Sequence, residues 1–464
     1  MKIKIYHLTL IILTIIMFIS CEKWIDPDIN VNPDSPEDPS MEVILPNIQG
    51  RIAYHTGGFD VTGTICMWMQ QITGASRQAA IIGSYTFVEA DVANLWNSFY
   101  RDAMMDLSII IDKSKEEGAV SPYYEGIASV LMAYDLGLAT QLWGDVPYSE
   151  AFQGLDNKHP KYDAQQEVYD TLQALLARAI TKLQVDPADN IFDPTAGDMI
   201  YGGDLDLWIK TARVLQARYA IHLSKRNSDA YQNALDFLAA GGYEDNSEDC
   251  QFMFGTGDTE NAPLYQFDEE RTDAVASNDL FNLLITSVIT AGGDTLGDPR
   301  LPVYQDTAGT GGTGEANFGS YFGALDAPVH LVTYVEQQFI LAEALYNVGA
   351  VTEDSVRTVL KNAIAASLNK FSISDAAWTT AYDSVLNTIT GADLLTEIMT
   401  QKYIAMFLQP EIFVDWRRTG VPALNVAVGT NVPRRFPYSS EERTFNRNIP
   451  NVKSIYARNW FDPE

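Results

Sequence analysis

Cys21 carries the clearest chemistry in this chain. It follows a basic start at Lys2 and Lys4, an almost unbroken apolar run from Leu8 to Ile19, and the small residue Ser20. That order is the pattern of an export signal cleaved at a small residue. The run is too short for a bilayer-spanning helix, which needs about 20 apolar residues. Cleavage before Cys21 would expose its thiol and a new α-amine together, and both can be acylated. Residues 1–20 therefore read as a lipoprotein signal peptide. Cys21 reads as the lipid anchor, carrying palmitate, and it is the one attachment to a membrane that the sequence offers.

Other chemistry is sparse. The chain has no G-x-S-x-G elbow, no Walker A sequence and no H-E-x-x-H. Gly309, Gly311 and Gly314 satisfy G-x-G-x-x-G, but no apolar strand precedes them and no helical pattern follows, so they read as a flexible glycine loop. Carboxylate pairs can hydrolyse glycosides. Among 61 acidic residues, however, neighbours such as Glu269-Glu270 and Glu441-Glu442 arise by chance. His55, His159, His222 and His330 lie at no metal-ligand spacing from one another or from a cysteine, and no D-x-D-x-D-G calcium loop occurs. The expectation is no catalytic residue, no metal and no cofactor. Cys66 and Cys250 fit either one disulfide or two buried thiols. A formal net charge of −30 repels phosphate backbones and anionic membranes, which excludes nucleic acid as a partner.

The elements that must position any site are helical. Val92, Leu95, Trp96, Phe99, Ala103 and Leu107 recur at three- and four-residue steps, with Gly118 as a stop. Ser121 and Pro122 supply an N-cap and a first helical residue for the next helix, whose one side carries Ile127, Val130, Leu131, Tyr134 and Leu138. Further helices are predicted near 165–184, 205–226, 228–240, 277–290, 334–348, 352–369 and 391–408. Their short connections predict antiparallel pairs stacked as in tetratricopeptide arrays, although no 34-residue repeat is visible. Trp96, Trp143 and Trp208 fall on helical stripes or helix starts and read as core. The fold class is mainly α, a superhelix of stacked helix pairs with a loop-rich half. Residues 21–46, with Pro27, Pro33, Pro36, Pro39 and Pro46, read as an extended tether, and 47–464 as a single domain. Two long loops, about 241–275 and 292–328, interrupt it, and loops of that length in a compact domain are usually functional or disordered.

An ordered series of motifs runs through the chain. Gln401 to Phe407 (QKYIAMF) is followed by Pro410 to Gly420 (PEIFVDWRRTG), Val432 to Tyr438 and Glu441 to Asn446. Earlier come Asn30 to Asp34, Gly144 to Ala151 (GDVPYSEA), Tyr201 to Trp208, Asp298-Pro299-Arg300, and Glu336-Gln337 with Ala342-Glu343-Ala344. Together they resemble the SusD/RagB family, specifically its SusD-like lipoproteins, from Cys21 to about Asn448. The resemblance implies a helical, tetratricopeptide-like fold with a loop-rich ligand-binding half. It also implies a lipoprotein on the outer face of an outer membrane, partnered with a SusC-like TonB-dependent transporter. Such a protein binds its cargo without cleaving it, and the usual cargo is oligosaccharide, with peptide as the alternative. An extracellular glycoside hydrolase is the third reading.

Two residue sets follow. Glu336 and Glu343, seven apart on one helix face, and the Arg417-Arg418 pair read as buried charge clamps, because a guanidinium pairs bidentately with a carboxylate. For ligand, pyranose C–H faces stack on aromatic rings while amide and charged groups take the hydroxyls. The segment 66–87 offers Trp68, Arg77 and Tyr85. The family resemblance points to that early loop and to the loop after the D-P-R turn, which adds Tyr304, Tyr321 and Phe322.

Overall fold

The computed structural model describes residues 38–285, 288–289, 293–306 and 316–464. The signal peptide, Cys21, most of the tether including Asn30 to Asp34, and the glycines at 309–314 lie outside them.

Helix α1 (Met41–Arg51) opens the body. This corrects the tether's end from Pro46 to Ser40. Pro46 cannot donate to the Glu42 carbonyl, but Ile44, Leu45 and Ile48 are buried at helical spacing and their burial offsets that loss. The chain continues through a π-helical turn, Ile52–Thr56, into α2 (Phe59–Trp68) and α3 (Arg77–Gly83). The single helix predicted from Val92 onward is α4 (Ala93–Asn97) and α5 (Met105–Lys113), joined by a π-helical stretch at Ser98–Met104.

Helix α6 (Pro122–Trp143) is buried along its whole length. Pro122 occupies its first position as expected. Ser121 does not cap it with its side chain; the hydroxyl donates to the Ala119 carbonyl at 2.8 Å. Gly144 ends the helix at φ +87°, a conformation that favours glycine. Then follow α7 (Gln165–Leu183), α8 (Leu205–His222) and α9 (Ala230–Ala239). The loop-rich half contributes α10 (Pro263–Arg271), α11 (Asp279–Leu284) and α12 (Leu301–Tyr304), shorter than the helix predicted over 277–290. The C-terminal third adds α13 (Tyr334–Val348), α14 (Glu353–Lys370), α15 (Ala376–Leu386), α16 (Ala392–Ala405), α17 (Glu411–Thr419) and α18 (Ser440–Phe445).

Helices α5 to α9 pack each on the next; α13 packs on α9, and α14 and α16 on α13. This is the stacked helical array the sequence predicts. The long loops are tied down by two-stranded antiparallel pieces. Thr73–Gly74 pairs with Ala274–Val275, Cys250–Phe252 with Val329–Val332, and Gln305–Asp306 with Asn317–Phe318. Trp96, Trp143 and Trp208 are all buried, and Cys66 and Cys250 are separate buried thiols. No helix among the described residues is long and apolar enough to cross a membrane.

Candidate functional site

Pairing of Thr73-Gly74 with Ala274-Val275 brings α2 and α3 against α10, and a cavity of about 380 Å³ opens between them. Phe59, Ala79 and Phe87 are buried at its floor, while Tyr54 and Phe267 are half-buried at its walls. Phe267 rests on Phe59 with centroids 4.7 Å apart. Arg271 lies over the Phe267 ring at 5.9 Å and donates from Nη1 to Gln78 Oε1 at 3.2 Å. The Tyr54 hydroxyl donates to Gln266 Oε1 at 2.9 Å, and Gln266 Nε2 donates to the Asn261 carbonyl at 2.7 Å. Burial pushes the Tyr54 hydroxyl above its usual range, and the charges of Asp60 and Glu270 push it the same way. Half-buried rings, amides and charged groups around one cavity are the kind of lining a polar ring-shaped ligand requires.

The backbone around this cleft is strained. Gln70, Arg77, Tyr85 and Thr272 adopt φ of +61°, +46°, +62° and +50°, four of the seven non-glycine residues with positive φ among the described residues. Each such residue costs on the order of 1–3 kcal/mol, and that strain persists where surroundings over-determine it, often at ligand sites. A second cavity of about 490 Å³ adjoins the first at Met67 and is lined by Gln70, Tyr85, Asn278, Asn282 and Asn425. The Gln70 amide grips the Asn425 backbone in both directions, accepting from its N–H at 3.0 Å.

The residues expected to face ligand divide sharply. Arg77 is exposed outside the residues that line the cleft, its Nη1 3.4 Å from Asp273 of the cleft wall. Tyr85 lines the second cavity with a largely buried ring, its hydroxyl accepting from the Ala427 N–H at 3.4 Å. Trp68 is a correction. It is fully buried among Phe87, Phe413 and Phe436, and its Nε1 donates to the Ile82 carbonyl at 3.1 Å. Tyr304 and Phe322 are corrections too. Both are buried in one aromatic cluster with Phe407, and burial pushes the Tyr304 hydroxyl up to about 12. Tyr321 is half-buried, hydrogen-bonded to His330 Nε2 at 3.1 Å and packed on Phe371. The loop after the D-P-R turn thus turns its rings inward, because the Gln305–Asp306 and Asn317–Phe318 pairing folds it onto the body.

Sequence reasoning missed Tyr54, Gln266, Phe267, Glu270 and Arg271. The signal available was the helix start at Ala262-Pro263 inside a loop expected to be functional, followed by aromatic and charged residues.

Of the expected charge clamps, Arg418 on Glu343 forms, while Glu336 and Arg417 find other partners. Arg418 grips Glu343 bidentately at 2.7 and 3.0 Å and reaches Asp415 at 2.6 Å, while Lys402 holds the other Asp415 oxygen at 2.6 Å. Glu336 pairs with Arg218 of α8, at 2.6 and 2.5 Å. Arg417 reaches no carboxylate. Its guanidinium lies over Phe413 at 3.8 Å and donates to the carbonyls of Phe413, Gln141 and Arg434. His222 faces Glu411 at 2.5 Å, and Tyr169 at 3.1 Å. Burial holds His222 well below its usual range and Glu411 above its own. The cations Arg218, Arg418 and Lys402 thus stand against the carboxylates of Glu336, Glu343 and Asp415. These groups fasten α8, α13, α16 and α17 together.

A family model described as SusD-like, "Starch-binding associating with outer membrane", matches residues 33–439. Among solved structures, a SusD/RagB family protein from Bacteroides thetaiotaomicron is 23% identical, covering 92% of this chain and 99% of its own, with a TM-score of 0.72. A structure titled a chitin-binding protein is 21% identical, covering 92% of this chain and 100% of its own, with a TM-score of 0.74. A chitin-binding SusD homolog from Flavobacterium johnsoniae is 19% identical over 91% of this chain and 98% of its own, at a TM-score of 0.72. At these identities the likeness to solved structures shows the fold. No curated protein matches the chain significantly.

Proposed function

This chain belongs to the SusD/RagB family, and on that premise we propose that it is a cell-surface glycan-binding protein that captures oligosaccharide in the cleft between α2, α3 and α10. The observation that carries this reading is the pairing of two half-buried rings, Tyr54 and Phe267, with the amides of Gln78, Gln266 and Asn94 around one cavity. Ring faces take sugar C–H surface, and the amides take hydroxyls. We further propose that the captured oligomer passes to a SusC-like TonB-dependent transporter. In this role the protein binds and does not hydrolyse.

The cleft reading has a direct test in native gels containing candidate polysaccharides and in a glycan array on protein lacking residues 1–20. Phe267→Ala is expected to weaken binding of any glycan found by about tenfold or more, the loss of one stacking platform. Phe267 also supports Phe59, so the exposed Gln78→Ala serves as a second variant that leaves the core intact. Trp68→Ala, by contrast, should lower stability first, since its ring touches only core. Binding unchanged in both Phe267→Ala and Gln78→Ala would place the ligand elsewhere.

Cys21 is proposed as the lipid anchor, tethering the body to the outer membrane on its exterior side. Cys21→Ala is expected to move the protein from the membrane fraction to the soluble fraction. The mass of the wild-type N-terminal peptide should show acyl chains that the variant lacks. A variant that still pellets with membranes, with no acyl mass on Cys21, would end that proposal.

A further inference from the structure

The second cavity, of about 490 Å³, is lined differently from the first. Amides and hydroxyls dominate it: Gln70, Thr73, Tyr85, Asn278, Asn282 and Asn425. Asp279 is the one carboxylate among the described residues that line it, and no lysine, arginine or histidine is among them. Met67 of α2 lines both cavities. A Cβ on Gly74, at the second cavity, would collide with the carbonyl of Ala79, at the first, so only backbone separates the two there.

Two of the amides are open. Both amide atoms of Gln70 hold the Asn425 backbone. Asn278 donates to the Thr73 hydroxyl at 3.1 Å and accepts from the Leu280 N–H at 2.9 Å. Asn282 Oδ1 accepts from Gln305 Nε2 at 2.8 Å, which leaves its Nδ2 without a partner among the described residues. The Asn425 side chain has no partner among them. The Tyr85 hydroxyl accepts from the Ala427 N–H and keeps its own proton to donate.

The segment that presents Asn425 is clamped by strained backbone. Gln70 and Tyr85 adopt left-handed φ, +61° and +62°, and both fasten Asn425 to Ala427. Such strain persists where the surroundings over-determine it, commonly at ligand clamps. Here it fixes the backbone of an exposed amide whose side chain stays free.

We propose that the second cavity is a further sugar subsite, and that the protein selects linear, uncharged oligosaccharides long enough to run past Met67 into both cavities. The inference rests on the first cavity being the glycan site. Open amides and a hydroxyl suit sugar hydroxyls, while Met67 and Leu280 offer apolar contact to C–H faces. An anionic sugar would meet Asp279 with no counter-charge beside it. An oligomer bound in one cavity reaches the other as an intramolecular event, so length raises affinity more steeply than added contact alone.

The test is titration calorimetry on protein lacking residues 1–20, with three neutral pairs of probes. These are maltose and maltohexaose, cellobiose and cellohexaose, and the dimer and hexamer of β-1,4-linked N-acetylglucosamine. In a series that binds, the hexamer is expected to bind about tenfold tighter than the dimer or more. The double variant Asn282→Ala/Asn425→Ala should bring that ratio to within about threefold and leave dimer binding unchanged. Both residues are exposed, and Gln305 Nε2 keeps the Ala276 carbonyl at 3.1 Å, so the fold is expected to hold; an unchanged melting temperature checks this. A hexamer no tighter than its dimer, a length preference that survives the double variant, or no binding of any hexamer overturns the inference. Phe267→Ala keeps it apart from the cleft reading, since that variant should weaken dimer and hexamer alike. A glycan that depends on Phe267 but not on the two asparagines would end this proposal and leave the cleft standing. Length preference lost in the asparagine variant, with Phe267→Ala without effect, would place the glycan in the second cavity alone and sink both.

Discussion

Replacing Glu343 with alanine is expected to destabilise the fold by about 3–5 kcal/mol, as breaking one side of a buried ion pair does. Glu343 is fully buried on α13 and accepts two bonds from Arg418, whose side chain is equally hidden. Without Glu343, Arg418 keeps Asp415, but Asp415 already serves Lys402. Burial by itself would raise the Asp415 carboxyl, and the two cations overcome that and hold it below its usual range. Removing one carboxylate therefore leaves two buried cations sharing another. Urea unfolding of wild type, Glu343→Ala, Arg418→Met and the double variant forms a cycle that isolates the pair. The double variant should be less destabilised than the sum of the singles, because the second change removes the stranded charge. A single-variant cost below about 1 kcal/mol, the range of exposed pairs, would show that water reaches the network.

The fate of this network explains what the sequence made legible. Seven-residue spacing on one helix places Glu336 and Glu343 on a common face, and Arg418 does reach Glu343. Spacing could not assign Arg218 to Glu336, because nothing local marks which of many arginines on other helices will arrive there. The helices followed the same logic. Repeats of period 3.6 are local, so α7, α13 and α14 are readable to within a residue or two at both ends and α6 at its start. The π-helical insertion at Ser98–Met104 leaves the apolar spacing intact and so gave no sign.

The cleft was only half legible for a related reason. Segment 66–87 stood out through its composition, and Arg77 stands outside the lining, against Asp273, while Gln78 lines the cleft. Its opposite wall depends on a two-residue strand pairing across some two hundred residues, which no periodicity encodes. Trp68 and Tyr304 misled because an aromatic residue in an irregular segment has no visible burial. In both cases a surrounding ring of Phe residues from distant segments decided the matter.

Asp135→Asn should remove a loss of stability that the wild-type protein suffers as pH rises. Asp135 lies in the middle of α6 with no exposure, and neither of its oxygens has a hydrogen-bond partner. Burial pushes its carboxyl from 3.8 up to about 8, and the nearby Thr56 hydroxyl, which donates to the Ile52 carbonyl at 3.3 Å, offsets little of that. A folded-state value above the unfolded one means that the fold retains a proton the unfolded chain gives up. The stability this supplies is complete below about pH 4 and drains away as pH rises toward about 8. At roughly 1.4 kcal/mol per unit, the whole window is worth on the order of 5 kcal/mol. The facing groups, Thr56, Tyr100 and Tyr134, do not ionise within it, since burial raises both tyrosines. His222 and Glu411 titrate with opposite signs elsewhere in the core, and they do so equally in wild type and variant, so the difference between the two proteins isolates Asp135. Between pH 5 and pH 8 the stability of Asp135→Asn relative to wild type should rise by on the order of 4 kcal/mol. At pH 5 the variant should be no more stable than wild type, because asparagine buries an amide with no partner in place of a protonated carboxyl. Parallel unfolding curves across that range would mean that Asp135 is ionised in the fold and that a cation or water satisfies it.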